Sequence, residues 1–305
     1  MFIFQKIKQR IYAYTDYISA ENRYKHIFDI ESSRLRHDVL FKTDSGIEDE
    51  RYCDGKNVIV SLTTYGKRLY DVYLTIESIM QQTQKANKIV LWLADNMKDV
   101  KIPLTLQRQQ KRGLEIRYCK DIRSYKKLIP SLKAFPDDII ITVDDDVIYG
   151  IDLIELLLNS YHQNKDMVHC GWAKKIDLHK TYKAWENATG DCSYGFEYMP
   201  IGSAGVLYPP HILDTEVFNE AVFMDCCKYA DDIWFKAMAM KANHQCQFIE
   251  TGLHEHLSID NPLWQDKGLT LINEKKKKND VQLQDVFNKY HLTELLKVGS
   301  KNSVF

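Results

Sequence analysis

The stretch DIIITVDDD (138–146) decides the fold class. It is an apolar run of strand length, rich in isoleucine, that ends in three consecutive carboxylates. Two similar apolar runs precede it, NVIVSLT (57–63) and KIVLWLA (88–94), and segments with helical spacing lie between them. Continuous apolar strands that alternate with helices are typical of a parallel sheet with both faces covered. The sequence therefore predicts an α/β fold, with a Rossmann-like, mostly parallel sheet flanked by helices.

The alternation of predicted strands and helices continues on both sides of these three runs, and it becomes less regular after residue 150. The stretch 186–210 contains several glycines, and its apolar residues show no regular spacing. The other predicted elements are helices at 69–80, 104–111, 126–134, 152–163 and 231–242 and strands at 114–120 and 246–250. In sheets of this kind, ligands bind at the carboxyl ends of the strands. We therefore expect the functional residues to follow the strands.

Composition excludes several classes of protein. The 305 residues are 45% hydrophobic and 27% charged, with a net charge of −1, which is ordinary globular usage and argues against a nucleic-acid binder. No apolar stretch reaches the length of about 18 residues that a membrane-spanning helix needs. The start, MFIFQKIKQR, lacks the apolar core of a signal peptide. Seven cysteines without a CxxC favour a reducing compartment, so we expect a cytoplasmic protein without structural zinc.

Residues 1–20 are predicted to form a basic amphipathic helix. Its apolar stripe consists of Ile3, Ile7, Ile11, Tyr14 and Ile18. Lys6, Lys8 and Arg10 lie off that stripe, as in helices that lie on anionic membranes. One interpretation is peripheral attachment to the inner face of the cytoplasmic membrane. The alternative is docking on the protein's own domain or on a second subunit in a homodimer.

Changes in composition predict the domain organisation. Residues 1–55 form the helix and a polar linker, and residues 56–272 form one catalytic domain. Within that domain we expect a nucleotide half at about 56–150 and an acceptor half at about 151–272. Residues 273–305 are a basic helical tail.

The carboxylates Asp144, Asp145 and Asp146 are the strongest chemical signal in the sequence. Adjacent carboxylates repel one another, and their burial without a cation is costly. Oxygen ligands of this type suit Mn²⁺ or Mg²⁺, which also bind substrate phosphates. Asp144 and Asp146 share one direction from an extended chain, so we assign Asp146 to the metal and Asp144 to a ribose or a metal-bound water. The alternative is a plain acidic loop after a strand.

Several segments together resemble a known group of enzymes. SLTTYGKRL, the helix through Thr75–Ile79 that leads to Gln81-Gln82-Thr83, KIVLWLA and VDDDV are similar to glycosyltransferases of the GT-A fold that use nucleotide sugars. The closest resemblance is to bacterial enzymes of capsule and lipooligosaccharide synthesis. SAGVLYPP, YADDIWF and HEHLS match further segments of the group, the last as in fringe-like enzymes. The resemblance covers roughly residues 57–260.

The resemblance implies a donor site, with uridine near the end of the first strand. The planar guanidinium of Arg68 suits binding to a phosphate, and a lysine near residue 126 would neutralise a diphosphate. The alternatives are a plain turn at Arg68, helix capping at Asp95 and solvated surface lysines. The predicted donor-binding residues are Thr63, Thr64, Tyr65, Arg68, Asp95, Lys126, Lys127, Asp144 and Asp145.

A base, a further metal ligand and an acceptor segment are also implied. By the resemblance, the general base is Asp232, with Asp231 as the alternative. Helix capping is the non-catalytic interpretation of both residues. Histidine binds Mn²⁺, so His254 or His256 would join Asp144 and Asp146 at the metal, with His254 favoured. The predicted acceptor-binding residues are Trp185, Gly202, Ser203, Ala204 and Gly205.

Together these features predict a metal-dependent, inverting glycosyltransferase. It would transfer a sugar from a nucleotide sugar, with UDP preferred, to a glycan or a lipid-linked glycan of the cell surface. Inversion is preferred because a base is present without a second obvious nucleophile. A retaining enzyme, a non-catalytic glycan-binding or scaffold protein and a sugar-phosphate nucleotidyltransferase are the alternatives. The last would carry a Gly-rich phosphate loop, and TTYGKRL has only one glycine.

Overall fold

The computed structural model describes residues 2–52, 55–190, 193–251, 257–259 and 278–299. The chain divides into two compact units, Met1–Lys42 and Thr43–Phe305. The first unit is one helix, α1 (Phe2–Phe41), so the helix predicted for 1–20 is confirmed and extends further. It continues because residues 21–41 contain neither Gly nor Pro. In the described part of the chain, no helix is long and apolar enough to cross a membrane.

The second unit is built on a sheet of eight strands in the order β3-β2-β1-β4-β10-β6-β11-β8. Two small sheets, β12-β5 and β7-β9, accompany it. The strands of the described residues are β1 (Val58–Thr63), β2 (Lys88–Ala94), β3 (Leu114–Cys119), β4 (Ile139–Thr142), β5 (Val147–Ile148), β6 (Met167–Cys170), β7 (Ala173–Lys175), β8 (Tyr194–Gly195), β9 (Tyr198–Pro200), β10 (Val206–Tyr208), β11 (Gln245–Phe248) and β12 (Leu257–Ser258).

Helices cover both faces of this sheet. The α-helices of the described second unit are α2 (Tyr73–Met80), α3 (Leu104–Gln110), α4 (Ile129–Ala134), α5 (Leu153–Gln163), α6 (Glu220–Cys226), α7 (Asp231–Lys241), α8 (Lys278–Lys289) and α9 (Thr293–Gly299). Helices α2 and α5 pack on one face, and α7 packs on the other with α8 behind it. This arrangement confirms the predicted Rossmann-like α/β fold with a mostly parallel sheet and a helical C-terminal segment.

Strand direction brings the candidate residues to one edge. Strands β1 to β4 are parallel, and β6 and β11 run in the same direction because β10 is antiparallel to both β4 and β6. Strand β10 therefore begins at the edge where the parallel strands end. The segment 202–205, which leads into β10, lies at that edge for this reason.

The sheet is buried on both sides because its strands alternate between two apolar cores. Val58, Val60 and Leu62 of β1 enter one core, and Ile59 enters the other. Each of these side chains is at most 1% exposed. Burial on both faces explains why the parallel strands read as continuous apolar runs rather than as alternating ones.

The structure differs from the predicted elements in a few places. The helix predicted for 69–80 is a 3-10 helix, Gly66–Tyr70, followed by α2. The helix predicted for 126–134 is likewise a 3-10 helix, Arg123–Lys127, followed by α4, whose first turn holds Pro130. Strands β6 and β10 were not predicted, since runs of four and three residues give too short a pattern.

Candidate active site

An acidic cluster lies at the carboxyl edge of the sheet, between β4 and the N-terminus of α7. Strand β4 ends at Thr142, and Asp144, Asp145 and Asp146 follow it. Asp231 and Asp232 begin α7. The 3-10 helix that ends at Lys127 joins the two groups, because the Lys127 side chain contacts both.

Lys127 is the centre of this cluster. Its Nζ lies 3.0 Å from Asp144 Oδ1, 3.0 Å from Asp231 Oδ2 and 3.2 Å from Asp232 Oδ1. The side chain is only 6% exposed, which opposes its charged form, but the three carboxylates raise the pKa of Lys127 well above its usual value. One buried ammonium thus connects carboxylates that are 87 and 88 residues apart in the chain.

Arg68 pairs with the other two carboxylates of the acidic run. Its Nη1 lies 2.7 Å from Asp145 Oδ1 and 2.8 Å from Asp146 Oδ2. Thr64 donates its hydroxyl hydrogen to Asp145 Oδ2. Both Thr64 and Arg68 follow β1, the neighbour of β4, so adjacent strands deliver the acids and their partners to the same place.

The cluster keeps an excess of negative charge. Asp144, Asp145, Asp146, Asp231 and Asp232 supply five carboxylates, and the described ion pairs provide only Lys127 and Arg68 against them. Burial, together with the charges of Asp145 and Asp144, raises the pKa of Asp146 to about 6 against the lowering effect of Arg68. A divalent cation would relieve this repulsion.

The donor set fits Mn²⁺ or Mg²⁺ in the way that these ions bind with substrate phosphates. Such ions commonly use one or two protein carboxylates, with phosphate oxygens and waters completing the shell. Asp144 and Asp146 have exposed side-chain fractions of 32% and 36%, against 8% for Asp145. Over the described ranges, no three His, Cys, Asp or Glu side chains group as a complete metal site. Asp146 and Asp144 are therefore the residues that would hold a metal jointly with a ligand.

Asp232 has the more accessible carboxylate of the pair at α7. Its side chain is 26% exposed, against 8% for Asp231. Oδ2 accepts a hydrogen bond from the Gly202 N–H at 3.0 Å. Burial raises the pKa of Asp232 to about 6; Lys127 lowers it, and Asp231 and Asp144 add to the rise. Asp232 is thus ionised at neutral pH and close to the range in which a carboxylate exchanges protons.

Two side chains complete the cluster without having been singled out in the sequence. Ser124 donates its hydroxyl hydrogen to Asp231 Oδ1 at 2.7 Å, and this bond fixes the position of that carboxylate. The Tyr149 hydroxyl accepts a hydrogen bond from the Asp144 N–H at 2.9 Å. A weak signal existed for Ser124, since it lies in the same RSYKK segment as Lys127.

Gly202 packs closely against Lys127 and the start of α7. A Cβ at Gly202 would lie 2.6 Å from Lys127 Nζ and 2.9 Å from Asp232 Oδ1, so a larger residue would displace the cluster. Ser203 and Ala204 follow in a 3-10 helix. Gly205 has a φ of 82°, which residues with a side chain rarely adopt. Of the predicted acceptor segment, Gly202 is the residue in direct contact with the cluster.

Other predicted donor residues lie beside the cluster at the end of β1. Thr63 donates its hydroxyl hydrogen to the Trp92 carbonyl. Tyr65 is 47% exposed, and the Arg68 guanidinium lies 5.5 Å from the centre of its ring. Tyr65 therefore presents an open aromatic face next to the acidic run.

Three predicted site residues are not brought into the cluster. Asp95 is half exposed and pairs with Lys98 at 2.7 Å. Lys126 turns away from Lys127 and pairs with Asp121. Trp185 is 4% exposed, and its indole N–H donates to the Asp177 carbonyl. The packing of Trp185 is therefore that of a core residue.

The predicted histidines His254 and His256 lie outside the described residues. The next described residues, 257–259, pair with the chain just after the acidic run. Strand β12 is antiparallel to β5, and the Ile259 N–H donates to the Asp146 carbonyl at 2.7 Å.

Comparison with known proteins gives a likeness of fold only. No family model matches the chain, and no curated protein matches it. Among the solved structures that match, a CMP:2-keto-3-deoxy-manno-octonic acid synthetase complexed with CTP is similar over 72% of this chain and 99% of its own, at 12% identity and a TM-score of 0.41. At this level the likeness carries no argument about activity.

Proposed function

We propose that the chain is a metal-dependent glycosyltransferase that uses a nucleotide sugar, with UDP as the preferred nucleotide, and inverts the anomeric centre. One observation carries the proposal. The Lys127 ammonium joins Asp144, at the acidic run, to Asp232, the accessible carboxylate of α7. A diphosphate with its cation at the acidic run and a base at α7 would thereby be adjacent, as transfer from a nucleotide sugar to a hydroxyl requires.

On the donor side, each group has a distinct task. The open ring of Tyr65 would stack on the base, and Arg68 would contact the diphosphate. Asp146 and Asp144 would hold the metal, which when bound stabilises the negative charge on the departing nucleotide. Because Arg68 already spans Asp145 and Asp146, it would share the Asp146 carboxylate with that ion.

On the acceptor side, Asp232 would take the proton from the attacking hydroxyl. The Gly202 N–H orients one of its oxygens, and Lys127 holds the other. Asp231 is less suited to this role because it is more buried and is held by Ser124. Its task is to fix the Lys127 ammonium. The acceptor that we propose is a glycan or lipid-linked glycan of the cell surface, as in capsule or lipooligosaccharide synthesis.

The nucleotidyltransferase alternative remains the second class to be tested. It calls for backbone amides free to surround a triphosphate after β1. Here Thr64 and Arg68 turn toward Asp145, and Gly66 is the only glycine of that turn. This arrangement suits a diphosphate held by side chains and a cation better than a Gly-rich phosphate loop.

A screen of nucleotide sugars tests the function without an acceptor. We expect slow hydrolysis of one donor with Mn²⁺ and none with excess chelator, because the carboxylates alone repel the diphosphate. Asp146→Ala should lose UDP affinity when metal is present and change little without it. Asp95→Ala is the matched control, because Asp95 is an exposed carboxylate that follows β2, another parallel strand of the same sheet. Full hydrolysis in chelator would contradict the metal assignment, and pyrophosphate release from CTP and a sugar phosphate would establish the nucleotidyltransferase instead.

The N-terminal helix gives a separate prediction. Residues 1–18 should bring the full-length chain to anionic vesicles, and binding should weaken with salt because basic side chains are attracted to the charged surface. Deletion of 1–18 should abolish co-sedimentation and spare transfer to a soluble acceptor. If the full-length protein does not bind anionic vesicles at low salt, the helix has a docking or dimerisation role.

A further inference from the structure

Three cationic side chains surround one tyrosine ring just before the start of α7. The centre of the Tyr229 ring lies 4.6 Å from Lys278 Nζ, 4.9 Å from Arg123 Cζ and 5.9 Å from Lys228 Nζ. We call these four residues the cationic platform. Its members come from three separate parts of the chain, so the fold assembles it.

The platform carries an excess of positive charge. Among the described residues, no carboxylate lies within ion-pair distance of Arg123, Lys228 or Lys278. The nearby Asp121 carboxylate is engaged by Lys126 and by the Arg123 N–H. A ring face attracts a cation, but three cations around one ring also repel one another. An anion placed among them would relieve that repulsion.

The backbone on both sides of the platform is held in place. Arg123 has a φ of 59°, in the left-handed region that residues with a side chain rarely occupy. The Tyr229 N–H donates to Gln282 Oε1 of α8, which fixes the start of that helix and with it Lys278. A disfavoured conformation and a long-range anchor therefore both serve to assemble this group of cations.

Short links connect the platform to Asp231, the residue that precedes the candidate base Asp232. Tyr229 precedes Asp231 by two residues, and Ser124, the neighbour of Arg123, donates to the Asp231 carboxylate. The single 3-10 helix Arg123–Lys127 begins in the platform and ends in the acidic cluster. The platform therefore lies close to the carboxylate pair at the start of α7.

We propose that the cationic platform binds an anionic group of the acceptor, a sugar carboxylate or a phosphate. This inference rests on the proposed function, because it takes the molecule beside Asp232 to be the acceptor. The acidic cluster itself repels anions, so a separate patch of positive charge is what allows an acidic glycan to approach it. The acceptor class is thereby narrowed from glycans in general to glycans that carry negative charge.

Equilibrium binding to the full-length protein tests the proposal without any turnover. The probes are hexagalacturonate, which carries ring carboxylates, glucose 1-phosphate, which carries a phosphate, and neutral maltohexaose. We expect the wild type to bind one or both anions more tightly than maltohexaose. The anion that binds more tightly shows whether the platform recognises a carboxylate or a phosphate.

The variant Lys228→Gln/Lys278→Gln should weaken anion binding about 10-fold, because charge-assisted hydrogen bonds are lost. Lys228→Gln alone should cause a smaller loss. Lys101→Gln/Lys111→Gln makes the same change in net charge at exposed positions near α3 and should leave binding unchanged.

Equal affinity for maltohexaose and the anions would overturn the proposal, and so would equal loss in the two double variants. Absence of donor hydrolysis in the nucleotide-sugar screen would overturn the proposed function instead, since that screen contains no acceptor. The two failures are thus distinguishable.

Discussion

Asp232→Asn is expected to reduce sugar transfer by about 10²–10⁴-fold while the protein folds and binds UDP and metal normally, because a neutral amide cannot accept the proton of the acceptor hydroxyl. The hydrogen bond from the Gly202 N–H can persist, since an amide oxygen also accepts. Turnover at saturating acceptor is the measurement. Normal folding would separate this loss from a structural effect.

Asp231→Asn is the matched control, with the same chemical change on the preceding residue. Asparagine can still accept from Ser124, so we expect a smaller loss of transfer. The pH profile adds a second readout. Transfer by the wild type should fall as the pH drops through about 6, where Asp232 gains a proton. Near-normal turnover of both variants would show that neither residue is the base, and Glu186, Asp191 and Glu197 would then be the next candidates.

Lys127→Met is expected to be the most destabilising single substitution in the site. It leaves three carboxylates close together without their shared cation, one of them the buried Asp231. Removing one partner of a buried ion pair typically costs about 3–5 kcal/mol of unfolding free energy. The urea midpoint at neutral pH measures the loss. The loss should shrink near pH 5, because Asp232, with a pKa of about 6, is then protonated and no longer needs the cation.

Lys126→Met is the neighbouring control. Its partner Asp121 is 55% exposed, so water can solvate that carboxylate when the lysine is gone. Asp231→Asn should recover part of the stability lost in Lys127→Met, since it removes one of the unpaired charges. Equal losses in the Lys126 and Lys127 variants would contradict the central place of Lys127 in the cluster.

Much of the first half of the fold could be predicted because its strands are long and apolar on both faces. Strand β2 begins and ends where KIVLWLA does, and β1 and β3 differ by a residue at an end. The position of Asp144–Asp146 after a buried strand also follows from local sequence. Strand β10 could not be predicted, because three residues carry too little periodicity and its antiparallel pairing with β4 and β6 is a long-range property.

The sequence by itself determined the α/β class, the order of the parallel strands along the chain and the presence of acids after β4 and at the start of α7. Only the tertiary structure decided which side chains meet. Lys126 and Lys127 are equivalent in the sequence, yet one contacts Asp121 and the other contacts three carboxylates. Neighbouring residues of a 3-10 helix point about 120° apart, since the helix has about three residues per turn. The periodicity of apolar residues is a local property that short segments of sequence encode. The direction in which a charged side chain points depends instead on how strands and helices that are distant in the chain pack around it.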